Sequence, residues 1–356
     1  MSKLNVCVLF GGMSPEHAVS LRSAESVLMN MDPEKYEIIP VGITTGGQWL
    51  RYGGTDYSLL PGDRWLTCPD NCPAAISPVR GQGLLCFREG GVELQSIDVV
   101  FPVLHGENGE DGAMQGLLQL AGIPYVGPHV SASAVSMDKT LTKLVADQAG
   151  VTQAAWKLVR RGDLDTRLEQ TLDALEAAFS YPMFVKPSGT GSSVGVSKAA
   201  DRAALAQALA EAAKFDEKIL VEEFIRGREV EVAVMGNESP IASICGEIDS
   251  GADFYDYEAK YVTDTSTAYI PARISEEVAE QVRDAAVKIY SAIGCCGLSR
   301  VDFFVTFEGE RVVFNEINTL PGFTSISMYP KLFDASGIPY GQLIDELLRL
   351  AMEAAK

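Results

Sequence analysis

Hydrophobic residues in the first third of the chain fall into short continuous runs, separated by stretches with helical spacing. Continuous apolar runs are typical of buried strands, and apolar residues three or four positions apart are typical of helices. Strands that alternate with helices form a parallel sheet with crossover connections, so we predict an open α/β domain over residues 1–128. The predicted elements are strands at Val6–Phe10, Tyr36–Ile43, Val99–Leu104 and Ile123–Val126 and helices at Pro15–Met29 and Gly112–Ala121.

Residues 46–96 interrupt this alternation with Gly, Pro, Asp and short apolar pieces. The pattern predicts a β-rich insertion, to which the sequence assigns no chemistry. Two further segments follow, at 129–222 and 223–356, which gives a three-domain α/β (α+β) chain. Their predicted elements are helices at Asp138–Ala149, Asp201–Lys214 and Tyr340–Met352, strands at Pro182–Lys186, Val194–Lys198, Lys218–Glu222, Glu229–Met235, Leu298–Phe307 and Arg311–Thr319, and a helix whose apolar face is Val278, Val282, Ala285, Ile289 and Ile293.

Composition narrows the class of protein. With 356 residues and 47% hydrophobic content the chain can fill more than one core, while a net charge of −19 argues against nucleic acid as a partner. We find no apolar run long enough to span a membrane and no signal peptide. Seven cysteines beside only three histidines indicate free thiols rather than a zinc site. We therefore expect a soluble, cytoplasmic protein.

The strongest chemical signal lies on the two strands near residues 300 and 316. Side chains alternate across a strand, so Arg300 and Asp302 share one face, and Glu316 and Asn318 share one face of the next strand. A hairpin centred on Gly309 would pair 302 with 316 and 300 with 318. Two carboxylates and a carboxamide that converge in this way favour Mg²⁺, although a solvated strand face with an Arg–Asp pair is the alternative. On the other face we expect Val301, Phe303, Val305, Val313 and Ile317 to be buried.

A glycine-serine loop, Lys186–Ser197, is the second signal. Its backbone N–H groups and hydroxyls could surround phosphate oxygens, and because strands flank it we predict a hairpin flap over a triphosphate. It lacks the Gly-Lys-Ser/Thr ending of a Walker A loop. Lys139 at a helix start and Lys186 at a strand end are candidate phosphate ligands. A flexible turn with solvent-facing lysines is the alternative.

Two weaker signals lie elsewhere. Ser14-Pro15-Glu16 would place an N-cap, a proline and an acid in the first helical turn, and Glu16 could bind a substrate ammonium or only complement the helix dipole. The polar stretch Gly246–Pro271, with Tyr255, Lys260 and Tyr261, is long enough for a mobile lid in which Lys260 reaches a phosphate. A disordered surface loop is the alternative there.

Taken together, these residues resemble the D-alanine–D-alanine ligases of the ATP-grasp superfamily. The resemblance runs nearly end to end and in order, and no single motif carries it. Ala18 and Ser188-Gly-Thr190 depart from the commoner residues of the family. The motifs are Gly11-Gly-Met-Ser-Pro-Glu-His17, Leu104-His-Gly-Glu-Asn-Gly-Glu-Asp-Gly112, Met137-Asp-Lys139, Val185-Lys-Pro187, Gly191-Ser-Ser-Val-Gly195, Val221–Glu229, Tyr255–Tyr261, Arg300-Val-Asp302 and Asn315–Ser327.

The resemblance implies an ATP-grasp fold, with ATP between the central and C-terminal domains, and a role for each matched residue. For ATP it implies contacts from Lys139, Lys186, Ser193, Glu222, Glu223, Ile225, Glu229 and Lys260. For magnesium, as a pair of Mg²⁺ ions or Mn²⁺, it implies Asp302, Glu316 and Asn318. For catalysis it implies Glu16 with Ser192 and Tyr261, and Arg300 with the N–H of Gly322. For the D-alanine substrates it implies His105, Ser327 and Met328.

The resemblance also implies the reaction. ATP would phosphorylate the carboxylate of one D-alanine, and the amine of a second would attack the acyl phosphate, giving the dipeptide for peptidoglycan synthesis. Tyr261 and Met328 resemble the members that use amine acceptors, so D-alanine is the expected acceptor. The alternatives are a D-alanine–D-serine ligase, another ATP-grasp ligase, or a nucleotide sensor without turnover. A homodimer through the N-terminal domain is also implied.

Overall fold

The computed structural model describes residues 3–191, 194–249 and 267–355. Three sheets follow one another along the chain and carry most of the residues predicted to be functional. Among the described residues, no helix combines the length and the apolar character that crossing a membrane requires. The helices are α1 (His17–Asn30), α2 (Ala113–Ala121), α3 (Val130–Met137), α4 (Lys139–Ala149), α5 (Arg161–Ala178), α6 (Arg202–Ala212), α7 (Glu276–Ile293), α8 (Met328–Ala335) and α9 (Tyr340–Ala354).

The first sheet contains the predicted parallel strands at its core. The central strand β1 (Leu4–Gly11) lies between β2 (Tyr36–Ile43) and β7 (Val99–Val103) and is parallel to both. The β-rich insertion is also confirmed, since it continues this sheet as antiparallel strands. Two 3₁₀ helices, Tyr57–Leu59 and Pro61–Thr67, lie within it. Its strands are β3 (Trp49–Arg51), β4 (Cys72–Ile76), β5 (Leu84–Arg88) and β6 (Gly91–Gln95).

The strand expected at Ile123–Val126 is wrong. Only Tyr125 forms a parallel bridge, to Val100 on β7. The carbonyl of Pro124 accepts from Val100 N, but a proline has no N–H to extend the ladder. One bridge is therefore all that forms at this edge.

The second sheet is antiparallel, in the order β10-β9-β11-β8. The strand β8 and the helix α5 were not predicted from the sequence. Within α5 only Leu172 and Leu175 are buried, so the apolar stripe that marks a helix is too narrow to recognise. The strands are β8 (Trp156–Arg160), β9 (Met183–Pro187), β10 (Ser197–Ala199) and β11 (Lys218–Glu223).

The third sheet has the order β15-β14-β12-β16-β17, with β13 paired to β12. The prediction of one irregular loop over Gly246–Pro271 is wrong at both ends of that stretch. There, β14 and β15 pair as antiparallel strands. Tyr255, Lys260 and Tyr261 lie outside the described residues. The strands are β12 (Gly227–Met235), β13 (Ile241–Ala242), β14 (Gly246–Asp249), β15 (Thr267–Tyr269), β16 (Leu298–Thr306) and β17 (Val312–Asn318).

The two ends of the chain share one apolar core. One buried cluster contains residues from both ends of the chain. It includes Val8 and Phe10 of β1, Leu21 of α1, Phe323, and Leu347 of α9. A second cluster lies between α7 and the third sheet and includes Val282, Val301 and Ile317. The closing helix therefore packs on the first sheet, while the division at residues 128 and 222 stays a prediction. All seven cysteines are free, as expected.

Candidate active site

A cavity of about 780 Å³ lies between the second and third sheets. Most of the residues predicted to bind a nucleotide line it, and Glu16 and Gly191 contribute to its wall. An aromatic and aliphatic part of the lining, including Phe184, Phe224 and Phe304, was not predicted. The predicted residues in the lining are Glu16, Lys139, Lys186, Glu222, Glu223, Ile225, Glu229, Glu316 and Asn318.

The strands β16 and β17 pair in the predicted register. Arg300 lies opposite Asn318, and Asp302 opposite Glu316. The amide nitrogen of Asn318 lies 3.0 Å from Asp302 Oδ2, so these polar side chains share a face. The described residues contain no group of three or more His, Cys, Asp and Glu placed to hold a metal. The predicted set has only two carboxylates, and Asn318 completes it with a third hard oxygen donor, a combination that suits Mg²⁺ with retained waters.

A β-bulge between Asp302 and Phe303 changes one detail of this hairpin. Phe303 pairs with Phe314 rather than Asn315, which has no opposing residue. Val313 therefore faces away from Val301 and packs with Ala154, Ile225 and Phe304, so its predicted side was wrong. Asn315 instead lines the cavity, and Lys186 Nζ lies 3.3 Å from its Oδ1. Bulges often redirect a side chain in this way next to functional sites.

Arg300 is held by two carboxylates. Its Nε and a terminal nitrogen donate to Asp302 at 2.8 and 2.7 Å, and Nε lies 3.2 Å from Glu231 Oε2. Burial disfavours the guanidinium charge, but Asp302 and Glu231 outweigh it and hold the pKa of Arg300 well above its usual value. Arg300 therefore stays cationic. Glu231, which alternates with Glu229 on β12, was not singled out from the sequence.

Glu222 is buried between two lysines. Its oxygens lie 2.5 Å from Lys143 Nζ and 2.7 Å from Lys186 Nζ. Burial alone would raise the pKa of Glu222, but the charges of Lys143 and Lys186 lower it to about 2. The sequence analysis missed Lys143, although its position one helical turn after Lys139 was a usable signal. The carboxylate fixes the ammonium group of Lys186 at the cavity wall.

The glycine-serine loop and the start of α4 are bound to each other. The loop joins the antiparallel strands β9 and β10, which confirms the hairpin. Lys139 is the first residue of α4, and its Nζ donates to the carbonyl of Thr190 at 2.6 Å. Asp138 caps the helix and also accepts from Ser188 Oγ at 2.7 Å. Ser192 and Ser193 lie outside the described residues.

Glu16 lies between the glycine-serine loop and the turn at Gly106. The helix start was predicted two residues early: Glu16 is itself the N-cap of α1, and Ser14 Oγ accepts from its N–H at 3.0 Å. A Cβ placed at Gly106 would lie 2.4 Å from Glu16 Oε2, and one at Gly191 would lie 3.5 Å away. The carboxylate of Glu16 is therefore packed directly against the turn at Gly106.

His105 and Glu110 connect this turn to the loop after β17. His105 Nδ1 lies 2.9 Å from the carbonyl of Leu320, and Glu110 Oε1 accepts from Leu320 N at 3.0 Å. Burial lowers the pKa of His105, so its ring is neutral and donates from Nδ1. Burial is the main cause that raises the pKa of Glu110 to about 8, and the negative charge of Glu16 adds to it. Glu110 lies within the motif Leu104–Gly112, but the sequence alone predicted no role for it.

The remaining predicted residues lie in the loop that Leu320 begins and at the start of α8. Ser327 is the N-cap of α8, and a Cβ at Gly322 would lie 2.9 Å from its Oγ. Met328 is the first residue of α8 and is buried. Lys260 and Tyr261 are outside the described residues. The charge of Arg300 acts on both His105 and Glu110, so these groups belong to one electrostatic site.

Comparisons with known proteins agree along the whole chain. The models "D-ala D-ala ligase N-terminus" and "D-ala D-ala ligase C-terminus" match residues 5–128 and 145–349. A D-alanine–D-alanine ligase of Caldicellulosiruptor bescii is 50% identical over 354 residues, 99% of this chain and 96% of that protein. A D-alanine–D-alanine ligase of Clostridium acetobutylicum is 46% identical over 353 residues, 98% of each chain.

Solved structures agree as well. The D-alanine–D-alanine ligase from Coxiella burnetii has a TM-score of 0.86 and 36% identity, and the match covers 100% of this chain and 95% of that one. The VanG D-Ala:D-Ser ligase from Enterococcus faecalis has a TM-score of 0.89 and 39% identity, covering 98% and 100%. The fold and the site thus define an ATP-dependent ligase of the ATP-grasp class. Within that class, the chain belongs to the D-alanine–D-alanine ligase family.

Proposed function

We propose that this chain makes D-alanyl-D-alanine for peptidoglycan synthesis. ATP phosphorylates the carboxylate of one D-alanine, the amine of a second D-alanine attacks the acyl phosphate, and ADP and phosphate are released. The observation that carries the proposal is that Glu16, Lys139, Lys186, Glu316 and Asn318 line one cavity. Such a cavity offers a carboxylate for an ammonium group, cations for phosphates and oxygen donors for magnesium.

On the nucleotide side, we assign Lys139 and Lys186 to the phosphates, together with Ser193 and Lys260. The position of Lys139 at the N-terminus of α4 supports this, because N–H groups and helix dipole add to its charge. Glu229 takes the ribose hydroxyls. Glu222, Glu223 and Ile225 take the adenine, and the apolar lining of Phe184 and Phe304 next to them suits a planar base.

For the metal, Asp302, Glu316 and Asn318 are the ligands we propose for a pair of Mg²⁺ ions, and Mn²⁺ suits the same oxygen donors. When bound, magnesium supplies charge neutralisation and orientation of the phosphoryl group. The chain's own contribution is rigidity. The paired register of β16 and β17 fixes the three side chains relative to one another.

On the amino-acid side, Glu16 binds the ammonium of the first D-alanine, with His105 beside it and Ser192 and Tyr261 completing the closed site. Arg300 and the N–H of Gly322 stabilise the oxyanion formed when the amine attacks, each by about 3 kcal/mol. Ser327 and Met328 receive the second carboxylate. The closeness of Gly322 to Ser327, where a Cβ added to Gly322 would lie 2.9 Å from Ser327 Oγ, supports this grouping. Exclusion of water protects the acyl phosphate from hydrolysis.

The test is product analysis. ADP release is measured with D-alanine alone and then with D-serine or D-lactate added, and the product masses are determined. D-alanine alone should give the dipeptide, and absence of ADP release would contradict the proposal. A D-alanine–D-serine ligase is the second candidate, because the VanG structure is so similar. Preferential formation of the mixed dipeptide would identify that activity instead.

We further propose a cytoplasmic homodimer that associates through the N-terminal domain. The exposed apolar side chains of Phe87, Val92 and Leu94 on the β5–β6 hairpin support an interface at that end of the first sheet. Light scattering coupled to gel filtration should give twice the mass of one chain. A monomer at micromolar concentration would contradict the dimer without affecting the proposed reaction.

A further inference from the structure

One tryptophan of the insertion between β2 and β7 packs into the core beside the central strands. Trp65 is fully buried, and its ring lies edge-on to Phe10 at 5.1 Å and to Tyr52 at 6.2 Å. Gly42 leaves the room for it, since a Cβ there would lie 2.3 Å from the indole. The insertion is therefore rigidly attached above the central strands, at the end where the chain enters α1.

Asp63, two residues before this tryptophan, reaches the start of α1. Its Oδ1 accepts from Trp65 Nε1 at 3.1 Å and lies 3.1 Å from Nε2 of His17. The other ring nitrogen, Nδ1, lies 2.7 Å from the carbonyl of Gly12. The side chain of His17 is largely buried. Its two partners lie on the loop after β1 and on the insertion.

Asp63 has a backbone conformation that is uncommon for a residue with a side chain. Its φ of 59° and ψ of 20° are left-handed, as are those of Gly62 before it. Residues other than glycine rarely adopt this conformation, and Asp and Asn tolerate it better than other side chains. Although glycine would be favoured at this turn, residue 63 is an aspartate, and its carboxylate contacts both His17 and Trp65.

We propose that Asp63 is a positioning residue for Glu16, and that it acts through His17. This rests on the proposed function, in which Glu16 binds the ammonium of the first D-alanine. His17 follows Glu16 directly and is the first residue of α1, so fixing its ring fixes the backbone that carries Glu16. The carboxylate has little room to adjust, because Gly106 lies against it. Small displacements of a binding group can cost large factors in rate.

The experiment compares steady-state kinetics of the full chain. Asp63→Ala should raise the KM for the first D-alanine about tenfold and leave the KM for ATP within about twofold, since a group that positions one substrate affects that substrate alone. Asp63→Asn keeps an acceptor for His17 and Trp65 and should restore most of the affinity. The matched control is Asp56→Ala, because Asp56 caps a 3₁₀ helix in the same insertion through Ser58. It should leave both KM values unchanged.

A second pair of variants separates positioning from a general effect on folding. His17→Ala should reproduce the change in KM, and the double variant Asp63→Ala/His17→Ala should be no worse than either single variant. An unchanged KM for the first D-alanine in Asp63→Ala, or an equal rise in both KM values, would overturn the proposal. If the wild-type chain released no ADP with D-alanine, the proposed function would fail instead.

Discussion

The observed position of the Glu16 carboxylate requires a glycine at residue 106. Gly106 has a φ of +70°, and any Cβ there would lie 2.4 Å from Glu16 Oε2. Gly106→Ala should displace the carboxylate and raise the KM for D-alanine by about tenfold or more. The strained φ should lower the free energy of unfolding by about 1 kcal/mol. Initial rates at varied D-alanine and urea unfolding measure the two effects.

Gly116 provides the control for this substitution. It lies inside α2, and a Cβ there would meet nothing within 4 Å. Gly116→Ala should stabilise the chain by up to about 1 kcal/mol and leave the kinetics unchanged. An unaltered KM for D-alanine in Gly106→Ala would contradict the packing of Glu16 described above.

Glu110 makes the stability of the chain depend on pH. Burial and the charge of Glu16 raise its pKa from 4.5 to about 8, so between these values the folded chain holds a proton that the unfolded chain has released. The free energy of unfolding should therefore fall as the pH rises through this window, by about 1.4 kcal/mol per pH unit from this group. Glu110→Gln should remove that part of the slope. Urea midpoints from pH 5 to 8 test it, and equal slopes for both proteins would rule out the raised pKa.

At the scale of elements, two helices of equal length offer a matched comparison. Asp138 caps α4 by accepting from two backbone N–H groups of the first turn, and Asp201 caps α6 by accepting from one. Replacing either by alanine should cost about 1–2 kcal/mol of stability. Only Asp138 also accepts from Ser188 at the base of the glycine-serine loop and pairs with Lys218. Asp138→Ala should therefore also weaken ATP binding several-fold, whereas Asp201→Ala should not.

Calorimetric titration of ATP against both variants measures the difference. Equal affinities would show that the contact between α4 and the loop does not position the phosphate-binding residues. A larger loss of stability in Asp138→Ala is expected, because Lys218 and Ser188 lose their partner as well.

Elements with strong local signals were predictable. Helices α4 and α7 were placed well because Gly150 and Gly294 end them in the left-handed conformation. The register of β16 and β17 followed from side-chain alternation and the turn at Gly309. The bulge after Asp302 was not predictable, because it adds one residue without changing the pattern of apolar positions. The helix α5 was missed because most of its surface is polar.

At the scale of the whole molecule, the site depends on contacts between distant parts of the chain. The side chains given roles by the family resemblance were identifiable, and nine of them line the cavity. Their partners were not, because the contacts of Lys143 with Glu222, His105 with Leu320 and Asp63 with His17 join separate elements. The pattern of apolar positions within one segment does not indicate which residue of another segment it will contact.

The shared core of the two chain ends leads to the last prediction. Leu347 of α9 is fully buried in the cluster that contains Val8 and Phe10 of the first strand. Leu347→Ala should cost about 3 kcal/mol, from lost burial and the cavity left behind. Because one core holds both ends, the first sheet should lose stability along with the helix.

Trp65 reports on that sheet from the same cluster. In a background where Trp49 and Trp156 are replaced by Phe, its fluorescence transition in urea should shift to lower concentration together with the far-ultraviolet circular dichroism. Leu120→Ala, at an exposed leucine of α2, is the control and should change the free energy of unfolding by less than about 0.5 kcal/mol. A Trp65 transition that stayed in place while the helix melted earlier would mean that the first sheet is stable without α9, and that the ends of the chain fold independently.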